Sequence, residues 1–244
     1  MRPPENYPQR EAISGFREAL NGTLNVAAQG ATIDTLDVST AESGAILATT
    51  SANEIKILDR NGALSETIQI DNRVRLAKFA PKSDRIAIFV LEKGSGSEKE
   101  VAQVWNLQNK KRIYEIRTHN GAISDVCFTP LEGCVAVCSE DRSWSLHDYM
   151  TGQLHVHLRE QEQISSLEFH PDGLIMAIGL ASGKILVYDV RDMVLAREIE
   201  APVNTAVKNI VFSNKGIFLA ASWEGHEACR VYSLHKDFAF AEIS

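Results

Sequence analysis

Five segments of the chain close on the same short pattern: Ile57-Leu58-Asp59, Val104-Trp105-Asn106, Leu146-His147-Asp148, Val187-Tyr188-Asp189 and Val231-Tyr232-Ser233. Their last residues lie 47, 42, 41 and 44 residues apart. A pattern recurring every 40-odd residues means one small unit stacked on copies of itself, since such a unit cannot bury its apolar faces alone. The longest interval holds 92–100, a polar, Gly/Ser-rich and charged stretch that reads as a solvated loop between two strands.

Each unit divides into four strand-like runs. The first runs are Ile33 to Ser39, Val74 to Ala80, Ile123 to Thr129, Ile164 to His170 and Val207 to Ser213. Turn residues follow most of them, as in Pro171-Asp172-Gly173 and Asn214-Lys215-Gly216, where Pro presets φ and Gly or Asn accepts a positive one. Second runs such as Val135-Ala136-Val137-Cys138 are apolar throughout, which predicts burial on both faces. Fourth runs such as His155-Val156-His157-Leu158 alternate, which predicts one buried and one wet face. Inner strands covered on both sides and outer strands half exposed are what radially stacked sheets require. The expected fold is an all-β propeller with five recognisable four-stranded blades, over about 31–72, 73–119, 120–161, 162–203 and 204–244. Residues 1–30 read as a linker with a short amphipathic helix over Pro8 to Leu20, and Leu24 to Ala28 as a possible extra strand. The prolines after Met1 suggest a fragment of a longer protein.

The net charge of −7 argues against a direct grip on a phosphate backbone. Four cysteines, unevenly placed, make no disulfide framework and read as reduced thiols in an intracellular protein. No apolar run reaches the roughly 18 to 20 residues of a membrane span, and no signal peptide follows Met1.

His119, Ser139, Asp141 and the closing Asp148 sit where WD repeats place their His, Ser/Thr, Asp and terminal Asp. In WD repeats those groups form a hydrogen-bond network tying a blade's loops together. The Trp that completes it stands only at Trp105, with Leu58, His147, Tyr188 and Tyr232 elsewhere. Further likeness runs through 139–145, 148–152, 169–175, 184–189, 213–216 and 230–238. Over about residues 30 to 244 the chain resembles the C-terminal propeller of the pre-mRNA-processing factor 19 family, U-box ubiquitin ligases of the spliceosomal nineteen complex. That family has seven blades, an N-terminal U-box and a tetramerising coiled coil; the sequence here shows five blades and neither of the other parts. The resemblance implies a nuclear protein-interaction scaffold in pre-mRNA splicing and DNA repair. Its partners would be splicing-complex subunits and ubiquitination substrates, with RNA reached only indirectly, no cofactor, and no ligase activity in these residues. An open stack of five blades is expected to be poorly soluble or to self-associate.

Other readings of the same residues are weaker. Cys134 and Cys138, with Cys127 and His147, lack the tight pair spacing of a structural zinc site. His155 and His157 share a face but show no third ligand. Asn109-Lys110-Lys111-Arg112 resembles a basic patch, yet falls where a hairpin is needed. His119, Ser139 and Asp141 could be offered as a nucleophilic triad, but no G-x-S-x-G elbow surrounds the serine. Trp144 and Trp223 suit either an exposed rim or packing between blades. The topology nominates Arg73, Asn120, Arg142 and Trp223, in loops entering first strands or leaving second ones, as partner contacts. A propeller hydrolase and an unrelated WD scaffold are the alternatives; the hydrolase predicts ionisable groups with shifted pKa values at the axis.

Overall fold

Each repeat folds on itself as a meander, because every connection between its strands is short and carries its own turn chemistry. The computed structural model describes residues 33–39, 44–50, 53–81, 83–92, 99–131, 133–235 and 237–243. The expected helix over Pro8 to Leu20, the run Leu24 to Ala28 and most of the loop 92–100 fall outside them. Blade one is β1 (Ile33–Val38), β2 (Ile46–Thr50), β3 (Glu54–Leu58) and β4 (Leu64–Gln69). Blade two is β5 (Val74–Ala80), β6 (Ser83–Leu91), β7 (Val101–Asn106) and β8 (Lys111–Ile116). Blade three is β9 (Ile123–Phe128), β10 (Cys134–Ser139), β11 (Ser143–Asp148) and β12 (Leu154–Arg159). Blade four is β13 (Ile164–Phe169), β14 (Ile175–Leu180), β15 (Ile185–Asp189) and β16 (Val194–Ile199). Blade five is β17 (Val207–Phe212), β18 (Phe218–Trp223), β19 (Cys229–Ser233) and β20 (Ala239–Ile243). All five sheets are antiparallel with strands in chain order.

The recurring terminal Asp or Asn has a local cause. Asp59 Oδ1 accepts the backbone N–H of Asn61 and of Ala63, both at 2.9 Å. Asn106 takes Asn109 at 3.2 Å, Asp148 takes Met150 and Thr151 at 3.0 and 2.8 Å, and Asp189 takes Arg191 at 3.0 Å. Each side chain thus replaces a backbone acceptor and holds the hairpin from third to fourth strand. The residue before it is a bulge in blades one to four, at Leu58, Trp105, His147 and Tyr188. A second bulge falls near the start of every first strand. Hairpins between first and second strands close as expected: Gly216, at φ +67°, donates its N–H to the Ser213 carbonyl at 2.8 Å.

The apolar second strands are buried because each face serves a different neighbour. Along β10, Val135 and Val137 join a cluster with Ile88 and Val104 of blade two. Ala136 and Cys138 join Leu167 and Ile178 of blade four. Along β6, Phe89 packs with Leu47 and Ile55 of blade one, and Ile88 with blade three. A side-chain period of two therefore deals alternate residues to alternate interfaces. Fully burying each such aliphatic or aromatic side chain is worth about 1.5–3 kcal/mol.

The outer strands of blades one, two and four keep the expected alternation near their ends, and that of blade three departs from it. In β4, β8 and β16 one residue near the end is fully buried, Ile68, Ile116 and Ile199 respectively. β12 has none, and Leu154 and Leu158 are exposed. Radial sheets diverge with distance from the axis, so a side chain that alternates correctly still finds no neighbour to cover it.

The first strands face a common centre. One cavity of about 550 Å³ is lined by Asp37 of β1, Lys78 of β5, Cys127 of β9, Glu168 of β13 and Val211 of β17. Five sheets sharing one axis make the fold a propeller.

Candidate functional site

Two regions gather polar side chains: the end of blade three that carries the loop from β10 to β11, and the axis. At the first, Asp141 lies in the tight turn after β10, and its own N–H is held by Ser139 Oγ at 3.1 Å. Its carboxylate accepts the Asn120 N–H at 2.7 Å, the Ser143 N–H at 2.9 Å and the Ser143 hydroxyl. Burial works against the charge, but these donors prevail and lower the Asp141 pKa to about 2. A carboxylate only accepts, so Ser143 donates to it and receives the His119 Nδ1–H at 2.8 Å. His119 Nε2 then accepts from the Ser145 hydroxyl at 2.8 Å. Beyond it, His147 Nδ1–H donates to the Gly152 carbonyl at 3.1 Å, and its Nε2 faces Ser145 at 2.9 Å and Thr118 at 3.3 Å. Burial pushes the His119 pKa down to about 4, against the pull of Asp141, so the ring is neutral at pH 7.

His147 thus occupies the place of the absent Trp and carries the network on to the next hairpin. Asp148 does not belong to it. Its carboxylate points into the opposite hairpin, where the Thr151 hydroxyl also reaches it at 2.7 Å, so its expected role as a network member is corrected to that of a turn cap. Ser139 belongs through Asp141 and makes no bond to His119. Ser139, Ser143 and Ser145 are all buried, so none presents a nucleophile to a substrate.

The nominated contact residues separate into two groups. Arg73, Asn120 and Arg142 are exposed in the loops leading into β5, β9 and β11. Arg73 pairs with Glu92 at 3.6 Å, Asn120 Oδ1 accepts from the Lys99 ammonium, and Arg142 holds a φ of +71°. Trp223 does not join them. It is 1% exposed, and its indole N–H donates to the Gly183 carbonyl at 2.7 Å, locking blade five to blade four. Gly183 permits this approach: at φ +92°, a Cβ there would stand 2.6 Å from the Thr205 carbonyl oxygen. Trp144 is likewise buried, donating to Glu160 Oε1 at 3.0 Å, which also receives the Tyr188 hydroxyl at 2.9 Å. Glu160 is therefore a bridge between blades three and four that no repeat pattern announces.

At the axis, the Lys78 ammonium meets Asp125 at 2.9 Å. Burial opposes the ammonium charge, yet Asp125 and Glu168 hold its pKa above the usual range. Burial pushes Glu168 up to about 7, against the pull of Lys78. Asp125 also accepts the Leu167 N–H at 3.2 Å, and Asp37 the Phe79 N–H at 2.7 Å, so both carboxylates fasten one blade's first strand to the next. Sequence reasoning found no ionisable set here. The signal was available: Asp37, Lys78, Cys127, Glu168 and Val211 all lie two residues before the end of the first runs read from the sequence, at Ser39, Ala80, Thr129, His170 and Ser213. The cluster meets the location the hydrolase reading named, but the carboxylates of Asp37 and Asp125 are engaged in backbone and ion-pair fastening. No group of three or more His, Cys, Asp or Glu suited to a metal occurs among the described residues. Burial raises the Cys127 and Cys138 thiols well above their ordinary range.

Comparison with known proteins decides what this geometry belongs to. Residues 110–148 match the WD domain, G-beta repeat, and residues 142–244 match the nucleolar protein 10-like N-terminal domain. The chain is a WD-repeat propeller. Its curated relatives include pre-mRNA-processing factor 19 from Oryza sativa subsp. japonica, 25% identical over 178 residues, covering 70% of this chain and 32% of the relative. The Bos taurus protein of that name is 21% identical over 194 residues, 78% of this chain and 37% of the relative. Protein NEDD1 from Mus musculus is 28% identical over 121 residues, 49% of this chain and 18% of the relative. The chain thus spans about a third of the length of the pre-mRNA-processing factor 19 relatives it matches. A WD-repeat propeller of this kind is a protein-interaction scaffold.

Proposed function

We propose that this WD-repeat propeller recruits partners for a U-box ubiquitin ligase acting in pre-mRNA splicing, with DNA repair following from the same likeness. The observation that carries the reading is the extent of the similarity to pre-mRNA-processing factor 19, which covers 65–78% of the chain in several relatives. The fold supports it physically. Loops fixed on packed sheets form a preorganised surface that loses little entropy on binding. On this reading the protein works in the nucleus, docks splicing-complex subunits and ubiquitination substrates through Arg73, Asn120 and Arg142, and meets RNA only through them. Ligase chemistry and tetramerisation would reside in other parts of a full-length protein.

Affinity purification of the tagged chain from nuclear extract, followed by mass spectrometry, tests this. Pre-mRNA-processing proteins should co-purify, and Arg73→Glu with Arg142→Glu should deplete them. Recovery of no such proteins would sink the reading. The match of residues 142–244 to the nucleolar protein 10-like domain favours a second one, a nucleolar scaffold. Fluorescence confined to nucleoli, with nucleolar proteins in the purification, would select it.

A further inference from the structure

A cleft of about 700 Å³ opens between the outer strand of blade one and the third and fourth strands of blade two. Its base holds Val101, Trp105 and Ile70, and its walls are charged. Five cationic side chains line it against the carboxylates of Asp71, Glu92 and Glu115, in a chain whose net charge is −7. The sign is locally inverted, and within a Debye length of about 8 Å the local groups govern what a ligand feels.

The cations are built in. Trp105 Nε1–H donates to Gln103 Oε1 at 2.9 Å, and Gln103 Nε2 donates to Glu115 Oε1 at 3.1 Å. Glu115 thereby stands fixed and receives two guanidinium groups, Arg112 and, through Nε at 2.8 Å, Arg117. One carboxylate neutralises one of them. The other charge remains, and each fork, about half exposed, retains further N–H donors. Lys111 adds a third exposed cation on the same strand, and forms no ion pair among the described residues. Glu92 is engaged with Arg73, and Lys110 with Glu66 at 3.4 Å, which leaves Asp71 as the opposing charge.

We infer that this cleft docks an acidic peptide segment of a partner protein, its carboxylates taken by Arg112, Arg117 and Lys111 and its apolar side chains by Trp105. A continuous phosphate backbone fits less well. Asp71 stands among the cations and would face a phosphate with like charge, whereas affinity for a backbone grows with the number of phosphates neutralised. The cleft borders the rim residues Asn120 and Arg73, which contact its lining residues Lys99 and Glu92, but its binding cations are Lys111, Arg112 and Arg117, and the inference rests on the docking role proposed above.

Fluorescence anisotropy on the full chain supplies the test, with a labelled peptide of about eight residues alternating glutamate and leucine. Controls are its glutamine counterpart and a single-stranded RNA of similar length. The acidic peptide should bind, weaken as salt rises, and lose about tenfold or more in affinity in the double variant Lys111→Glu, Arg117→Glu. Both residues are exposed, so the melting temperature should hold; if it falls, Lys111→Gln with Arg117→Gln gives the milder reading. Equal binding of the glutamine peptide, tighter binding of RNA, or indifference to both variants would overturn the inference. Should rim variants still abolish partner recovery while the acidic peptide fails to bind, only this site falls and the docking role stands.

Discussion

Blade three and blade five are built from the same four-strand meander, yet they live in different surroundings. In blade three both faces are covered: β10 is buried from Val135 to Ser139 and β11 from Ser143 to His147. Among the described residues, blade five is covered on the face toward blade four, through Leu219, Ala221 and Trp223. The other face carries Val211 at 55% exposure, Phe218 at 45% and Ile243 at 54%. The last blade also lacks the bulge that blades one to four place before their closing residue, so Tyr232 pairs regularly with Phe240. A repeat therefore inherits its core from its neighbours, and the same sequence grammar yields a rigid unit or a half-open one by position alone.

The largest test sets Trp144→Ala in blade three against Phe218→Ser in blade five. The first leaves a cavity and removes one of the two donors to the Glu160 carboxylate, and should cost about 3–5 kcal/mol in denaturant unfolding. Phe218 is half exposed, so its replacement should change stability by less than about 0.5 kcal/mol. If the exposed apolar face drives the self-association expected from the sequence, light scattering should show less of it in that variant. Equal costs for the two would erase the contrast between the blades.

Next in size is the acid response of blade three. His119 titrates near 4 in the folded chain, below its ordinary 6.5, so the unfolded state takes up the proton first. Its contribution is complete above pH 6.5 and fades as pH falls toward 4, on the order of 3 kcal/mol in all. Glu168 acts in the opposite sense. Raised to about 7 from 4.5, it favours the folded state below pH 4.5 and loses that contribution as pH rises through 7. Melting curves across pH 4 to 8 should show His119→Phe resisting acid relative to the parent chain, and Glu168→Gln losing its gain on acidification. Parallel curves for all three would refute both assignments.

Smaller still, Gly183→Ala should cost about 1–3 kcal/mol, because φ +92° and the Thr205 carbonyl both refuse a Cβ. Its damage should appear as faster amide exchange around Trp223, sparing blade three. The smallest effect is Arg142→Gly, which relieves the positive φ and should shift stability by under about 1 kcal/mol. If partner recovery falls while the melting temperature holds, Arg142 serves binding and not folding.

Much of the fold was legible in the sequence for reasons that are now physical. Asp59, Asn106, Asp148 and Asp189 recur because each caps the same hairpin, and a backbone-level need repeats wherever the turn does. Apolar runs such as Val135 to Cys138 gave away burial on both faces. The polar groups were harder to read. Asp148 fits the repeat pattern of a network member, yet the strand carries it to the other end of the blade from His119. Trp223 lies at a rim position by topology, and only three-dimensional packing shows its ring turned inward to Gly183. The axial groups escaped notice because Asp37, Lys78, Cys127 and Glu168 share a position and no chemistry, so that no motif marks them.

The pleat that sends Val135 and Val137 one way and Ala136 and Cys138 the other has a consequence for assembly of the fold. A slip of one residue in β10 would exchange the two sets, presenting small groups where the cluster with blade two needs bulk and crowding the side of Trp144. Misregistered strands therefore fail at two interfaces at once. Bulges at a fixed place in every first strand anchor the count from the start of each blade. The molecule proofreads its own pairing.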